Sequence, residues 1–191
     1  MKTSCSYARI LVLIFMFSFS LIASAQDDMT YKSIFSLDYG AGKFNIPMTA
    51  LLKNEELYIA IDMYTPKTEC LTLYYDEDDI ATVRRRLSLI ADNFEQMINS
   101  NQQPAALPIV LPETIATWDL TEEKDIDLDN VKFTTLYSSL DGANKCIIIK
   151  CDLSGYSDEY SDYAFWVFVS PQEIKDFVNF INPTRVKNKI K

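Results

Sequence analysis

From residue 76 the chain reads DEDDIATVRRRLSLIADNFEQMINSN, with apolar side chains at Ile80, Val83, Leu87, Ile90, Phe94, Met97 and Ile98. Steps of three and four residues put these side chains on one stripe of a 3.6-residue helix. Asp76 is placed to cap its start, and Glu77, Asp78 and Asp79 oppose the positive end of the helix dipole. A second helix is predicted in SPQEIKDFVNFIN, where Ser170 and Glu173 form a capping box and Pro171 takes the first helical position. Its stripe is Ile174, Phe177, Val178 and Ile181, and Asn182-Pro183 ends it.

Six other stretches are rich in β-branched and aromatic residues and are bounded by turn formers: YKSIFSLD, ELYIAIDM, CLTLYY, VKFTTLYSSL, KCIIIKCDL and YAFWVFVS. They read as strands. Between Asn101 and Asp119, Pro104, Pro108 and Pro112 predict a crossing segment, with a short edge strand near Thr114 to Trp118. The expected class is α+β: an antiparallel sheet of about six strands with two helices packed on one face. The chain also aligns with itself. At an offset of 94, LTLYYDEDDIATV lies over FWVFVSPQEIKDF, and at 90, NEELYIAID lies over NKCIIIKCD, so that Asp62 meets Asp152. This predicts two β-β-β-α halves. It also predicts that Leu71, Leu73 and Tyr75 face the helices together with Phe165, Val167 and Val169. The opposite sheet face then carries Cys70, Thr72 and Tyr74 in one half, and Ala164, Trp166 and Phe168 in the other.

The first 25 residues have a different character. Lys2 and Arg9 precede an apolar run of 13 residues, Ile10 to Ile22, followed by Ala23-Ser24-Ala25. This is the pattern of a cleaved export signal, and the run is too short for the ~20 apolar residues of a membrane-spanning helix. The expectation is an exported protein, periplasmic or extracellular, with no span after cleavage. The domain then covers residues 26–183, and residues 184–191 form a disordered basic tail. The leader carries two basic residues and no acids, so the mature chain has 16 basic against 27 acidic residues, a net charge of −11. Such a field disfavours nucleic acid and favours a cationic partner.

Chemistry is narrowed most by the absence of histidine. Ser-His and Cys-His nucleophiles and the commonest zinc ligand are excluded. Gly40-Ala41-Gly42-Lys43 lacks phosphate-loop spacing and reads as a glycine turn. In DIDLDN, Asp125, Asp127 and Asp129 alternate, but Asn130 and Leu136 stand where a calcium loop needs glycine and glutamate. The three carboxylates are expected on one face of an extended, solvated edge. After cleavage Cys70, Cys146 and Cys151 remain. Cys146 and Cys151 fall on opposite faces of one strand, so a disulfide would join Cys70 to either, against the alternative of buried free thiols. Arg84, Arg85 and Arg86 are expected to point outward.

Two functional readings follow from these residues. The first is a non-catalytic binding or interaction domain of the cell envelope, needing no cofactor. Trp166 and Phe168 on an uncovered sheet face, with Tyr156, Tyr160 and Tyr163 nearby, would meet a protein, peptide or glycan. The second is a small secreted hydrolase of glycosidase type, whose carboxylate pair would be Asp62 and Asp152 at equivalent strand ends. The loop acids Asp152, Asp158, Glu159 and Asp162 are the candidate calcium ligands of a third, structural role.

Overall fold

The computed structural model describes residues 29–38, 43–67, 69–119, 125–139, 144–154 and 162–190. Among them are ten strands: β1 (Met29–Asp38), β2 (Lys43–Lys53), β3 (Glu56–Tyr64), β4 (Cys70–Tyr75), β5 (Ala105–Leu107), β6 (Thr114–Asp119), β7 (Ile126–Val131), β8 (Phe133–Ser139), β9 (Lys145–Asp152) and β10 (Tyr163–Phe168). Three helices complete the fold, α1 (Glu77–Asn99), α2 (Pro171–Phe180) and α3 (Pro183–Ile190). All strand pairs are antiparallel, in the order β5-β8-β9-β10-β3-β4-β6-β7, with the β1–β2 hairpin joined to β3 as a branch. The fold is α+β as expected, but the sheet is larger than six strands and there is a third helix.

Both predicted helices begin as their caps dictate. The Asp76 carboxylate accepts from the Asp79 N–H at 2.8 Å, and the Ser170 hydroxyl accepts from the Glu173 N–H at 3.2 Å. The apolar stripe of α1 is buried from Ile80 to Met97. Arg85 and Arg86 point outward as expected, whereas Arg84 donates from Nε to the Val178 carbonyl of α2 at 2.9 Å. The guanidinium thus ties two helices that the apolar stripes alone would only stack.

The helices cover one face of the sheet, which curls around them as a half-barrel. Helix α1 reaches β3, β4 and β9, and Phe94 meets Tyr137 of β8 at 5.9 Å. The core-facing rows are Ile59-Ile61-Met63, Leu71-Leu73-Tyr75, Ala116-Trp118, Ile147-Ile149-Cys151 and Ala164-Trp166-Phe168, all buried in one cluster.

That last row reverses an expectation. Ala164, Trp166 and Phe168 are fully buried, with Trp166 and Phe168 packed on Phe177 of α2 at 5.2 and 5.6 Å. Phe165, Val167 and Val169 lie on the other side and are only partly buried. The cause is one residue. Tyr75, the last inward residue of β4, directly precedes the cap Asp76, whereas Val169 stands between inward Phe168 and the cap Ser170. Because strand side chains alternate, a single added residue exchanges the two faces.

Three further corrections concern segments with weak strand or helix signals. The strand near Thr114 is not an edge: β6 lies between β4 and β7. The edge is β7, where Asp127 and Asp129 point outward while Leu128 and Val131 are buried, as the alternation in DIDLDN predicts. A bulge follows, with Asn130 at φ 60°, where Leu128 and Val131 pair with Ala116 and Thr114. The basic tail is ordered as α3: Val186 is 1% exposed, and Lys187 Nζ meets Glu77 Oε2 of α1 at 2.5 Å. An apolar anchor and an acidic helix start hold it down. Cys146 and Cys151 are buried free thiols, so neither pairing with Cys70 forms, and burial pushes both thiols up, Cys151 to about 12. No helix of the described residues is long and apolar enough to cross a membrane. The segment expected to be an export leader and the expected turn at Gly40-Ala41-Gly42 lie outside the described residues.

Candidate functional site

The face away from the helices is organised around a fork in the sheet. Strand β3 pairs with β2 from Glu56 to Ile61, then meets β10 at Tyr64, opposite Phe165. Extending the β2–β3 register by one step would set Pro47 opposite Asp62. Proline has no N–H, so the ladder stops there. The Asp62 carbonyl instead accepts from the Trp166 indole N–H at 2.8 Å. Two residue pairs further on, the Tyr64 hydroxyl donates to the Asn45 carbonyl and accepts from the Asn45 N–H. Two side chains therefore take over hydrogen bonds that a continued β2 ladder would have made, and the edge of β3 is freed for β10.

The Asp62 side chain points away from the helices and is 9% exposed. One carboxyl oxygen accepts from the Thr72 hydroxyl on β4 at 2.8 Å. Burial pushes the Asp62 carboxyl up to about 7; the Thr72 hydrogen bond works against this, and the negative charge of Asp119 on β6 adds to it. A carboxyl removed from water holds its proton because the charged form loses hydration that one hydroxyl does not replace. The same row continues across the sheet: the Thr117 hydroxyl donates to Asp127 at 3.0 Å. Burial chiefly raises the Tyr74 phenol, opposed by its hydrogen bond with Thr117 and supported by the charges of Asp62, Asp127 and Asp125. Among described groups, this corner is carboxyl- and phenol-rich.

Asp152, the other half of the expected pair, has a different environment. It ends β9 exposed to solvent and accepts from both the Ser154 hydroxyl and N–H, at 2.8 and 3.1 Å. Those bonds lower its pKa. Through Phe165 and Val167 of β10, the register sets Asp62 level with Ile148 of β9, four residues from Asp152 and two strands away. On a flat sheet that is ~16 Å, beyond the ~5–9.5 Å that carboxyl pairs of glycosidases span. The structure does not bring Asp62 and Asp152 together. Of the loop acids, Asp158 and Glu159 lie outside the described residues, as do Tyr156 and Tyr160. Asp152 and Asp162 sit on neighbouring strand ends, joined by the Leu153 N–H to the Asp162 carbonyl at 2.8 Å. Among the described residues no three His, Cys, Asp or Glu side chains are grouped to hold a metal.

Because Trp166 and Phe168 are in the core, they cannot form an aromatic platform. The exchange of faces puts other rings outside. Phe165 of β10 stands opposite Tyr64 of β3 in the ladder. Tyr64 meets Phe44 of β2 edge-on at 5.0 Å, and Phe165 meets Tyr163 at 5.8 Å. Phe44 itself belongs to the helix side of β2, paired with buried Leu37 and two residues from the core residue Ile46; the row on the outer side is Tyr64, Phe165 and Tyr163, across β3 and β10, each ring partly exposed. Lys150 of β9 closes it, its ammonium 4.5 Å from the Tyr163 ring centre. Sequence reasoning named Tyr163 but placed Phe165 in the core. Tyr64 was missed because nothing local brings residues 64 and 163 onto one row. Pro47, which opens the fork, was the available signal.

Comparison with protein-family models, with curated proteins and with solved structures finds no match for the chain.

Proposed function

We propose that this chain is an exported, non-catalytic binding domain of the cell envelope, and that its binding surface is the sheet face opposite the helices. The observation that carries the reading is the row Tyr64, Phe165 and Tyr163, three rings left partly in water although the core would accept them. Exposed contiguous aromatics are rare on monomers without a binding role. The expected export leader and the acid-rich composition fit the same reading.

The test is site-specific photo-crosslinking in the producing cell, with the cross-linker at position 163 or 165, or at position 86 on α1 as control. A discrete partner captured from the sheet face and not from α1 is the expected result. Equal capture from both faces, or retention of the protein in the cytoplasm, would remove the proposal.

The alternative of a carboxylate hydrolase keeps one supporting observation, an Asp62 that titrates near neutrality as a general acid or base would. Turnover on glycan panels that disappears in Asp62→Asn would favour it over the binding reading.

A further inference from the structure

We infer that the chain pairs with a second copy of itself along β1, edge to edge and antiparallel, with the two Ile34 side chains opposed on the twofold axis. This goes beyond the sheet-face reading and is independent of it. Among the described strands, β5, β7 and β1 each have a single partner strand. A strand edge offers its row of N–H and C=O groups to any extended chain, and proteins guard such edges with short strands, prolines, charges or bulges. Two of these three are guarded. Strand β5 has three residues, set between Pro104 and Pro108. Strand β7 carries Asp127 and Asp129 and ends in the bulge at Asn130. Strand β1 runs for ten residues without a proline or a break in its register with β2. Lys32 is the one charged residue inside it, and Asp38 ends it.

The alternation of β1 is complementary to itself. Tyr31 and Phe35 pack against the core, with Phe35 meeting Phe177 and Phe180 at 5.2 and 5.4 Å. Thr30, Lys32, Ile34 and Ser36 form the exposed row, and Ile34 is 56% exposed, more than any other large apolar side chain described. An antiparallel pairing centred on Ile34 sets the isoleucines against each other, Lys32 against Ser36, Thr30 against Asp38, Ser33 against Phe35 and Tyr31 against Leu37. Opposed residues share a face, so the helices of both copies stay on one side and the inner rows join. Centring on Lys32 would oppose two ammonium groups, and centring on Ser33 would set Ile34 against Lys32. Charge selects the same edge. The cleaved chain is expected to carry −11, yet the stretch 29–53 holds Lys32, Lys43 and Lys53 against Asp38 alone. Two copies meet there without opposing their acids, as pairing along β7 would require. Residues 30–38 give ~30 Å of paired edge, held mainly by backbone hydrogen bonds and weaker than an obligate interface.

The test is sedimentation equilibrium of the chain purified from its producing cell, from ~1 to ~500 µM. The expected result is a reversible shift from one copy to two. Ile34→Lys puts two ammonium groups on the axis and should weaken association ~tenfold or more, and an unchanged circular dichroism spectrum at the dilute end controls for folding. Ile115→Lys alters a comparably exposed isoleucine of β6, 48% exposed, and should leave association as it is. Under mild oxidation Ile34→Cys should give a disulfide-linked dimer above the wild-type background, because opposed residues of an antiparallel pair stand ~4.5–5.5 Å apart at Cα. Thr30→Cys, opposed to Asp38 of the second copy, should not. A chain that stays single at the highest concentration, association undiminished in Ile34→Lys, or equal crosslinking through Thr30→Cys overturns the inference. Growth beyond two copies also overturns it, since a twofold pairing closes on itself. None of these outcomes touches the sheet-face reading.

Discussion

The β3–β4–α1 and β9–β10–α2 units follow the same order of elements and start their helices with the same kind of cap, yet they present their strands differently. In the first, Tyr75 is inward and the cap follows at once. In the second, Val169 intervenes, its N–H held by the Glu173 carboxylate at 2.7 Å, and the strand shows its opposite row to the helices. The aspartates that align between the units diverge as well. Asp62 is buried beside a sheet fork and holds its proton, while Asp152 is solvated and ionised. Equivalent positions in sequence thus carry different chemistry, because one inserted residue and one proline change what each strand faces.

The sharpest way to break this contrast is to truncate alternate residues of β10. Trp166→Ala removes a fully buried ring and its bond to the Asp62 carbonyl. It should cost ~3–5 kcal/mol in urea denaturation, whereas Phe165→Ala on the outer row should cost about 1 kcal/mol or less. A larger loss in Phe165→Ala than in Trp166→Ala would mean that the two faces are the other way round.

The aspartates predict opposite pH behaviour. Asp62 has a folded pKa of about 7 against ~3.9 in an unfolded chain. Between those values the folded protein keeps a proton that the unfolded chain has released, so stability falls as pH rises. The contribution is complete below about pH 4 and lost as pH passes 7, a difference of about 3–4 kcal/mol. Asp62→Asn should flatten this slope and make the protein more stable than wild type at pH 8. Asp152, with its pKa lowered, contributes stability at neutral pH that is lost on acidification, so Asp152→Asn should destabilise at neutral pH and converge with wild type on the acid side. Thermal denaturation across pH for the three proteins checks both signs, and a slope retained in Asp62→Asn would reassign the titrating group.

A smaller effect tests what the units share. Asp76→Ala and Ser170→Ala each remove one cap bond and should each cost ~1 kcal/mol by denaturant titration. A strongly unequal pair would show that the two helix starts are alike in geometry only. The smallest effect concerns α3: the partly solvated Lys187–Glu77 pair should be worth only ~0.5 kcal/mol in a double-mutant cycle. A much larger coupling would mean that charge, rather than the buried Val186, holds the tail in place.

The parts of the fold legible in advance were those with strong local signals. The α1 and α2 stripes, their caps, and the alternation of Asp127, Leu128 and Asp129 each rest on spacings between residues within a turn or so of one another. Strand β2 was not, since KFNIPMTALLK carries a proline and little alternation, and it becomes a strand because β1 and β3 pair on either side of it. The candidate site was legible only as an inventory. Tyr163 and Asp62 were named, but the row joining Tyr64 to Phe165 and Tyr163 depends on which strands become neighbours.

By itself the sequence determined where the helices begin, which of their sides is apolar, the acidic charge of the expected mature chain, and the exclusion of histidine chemistry, because these follow from composition and from contacts within a few residues. The tertiary structure alone decided which row of β10 enters the core, that β3 exchanges β2 for β10 at Pro47, and that Asp62 rather than Asp152 leaves water. Those outcomes depend on contacts between residues as far apart as Asp62 and Trp166, and on a two-residue period that a single insertion inverts.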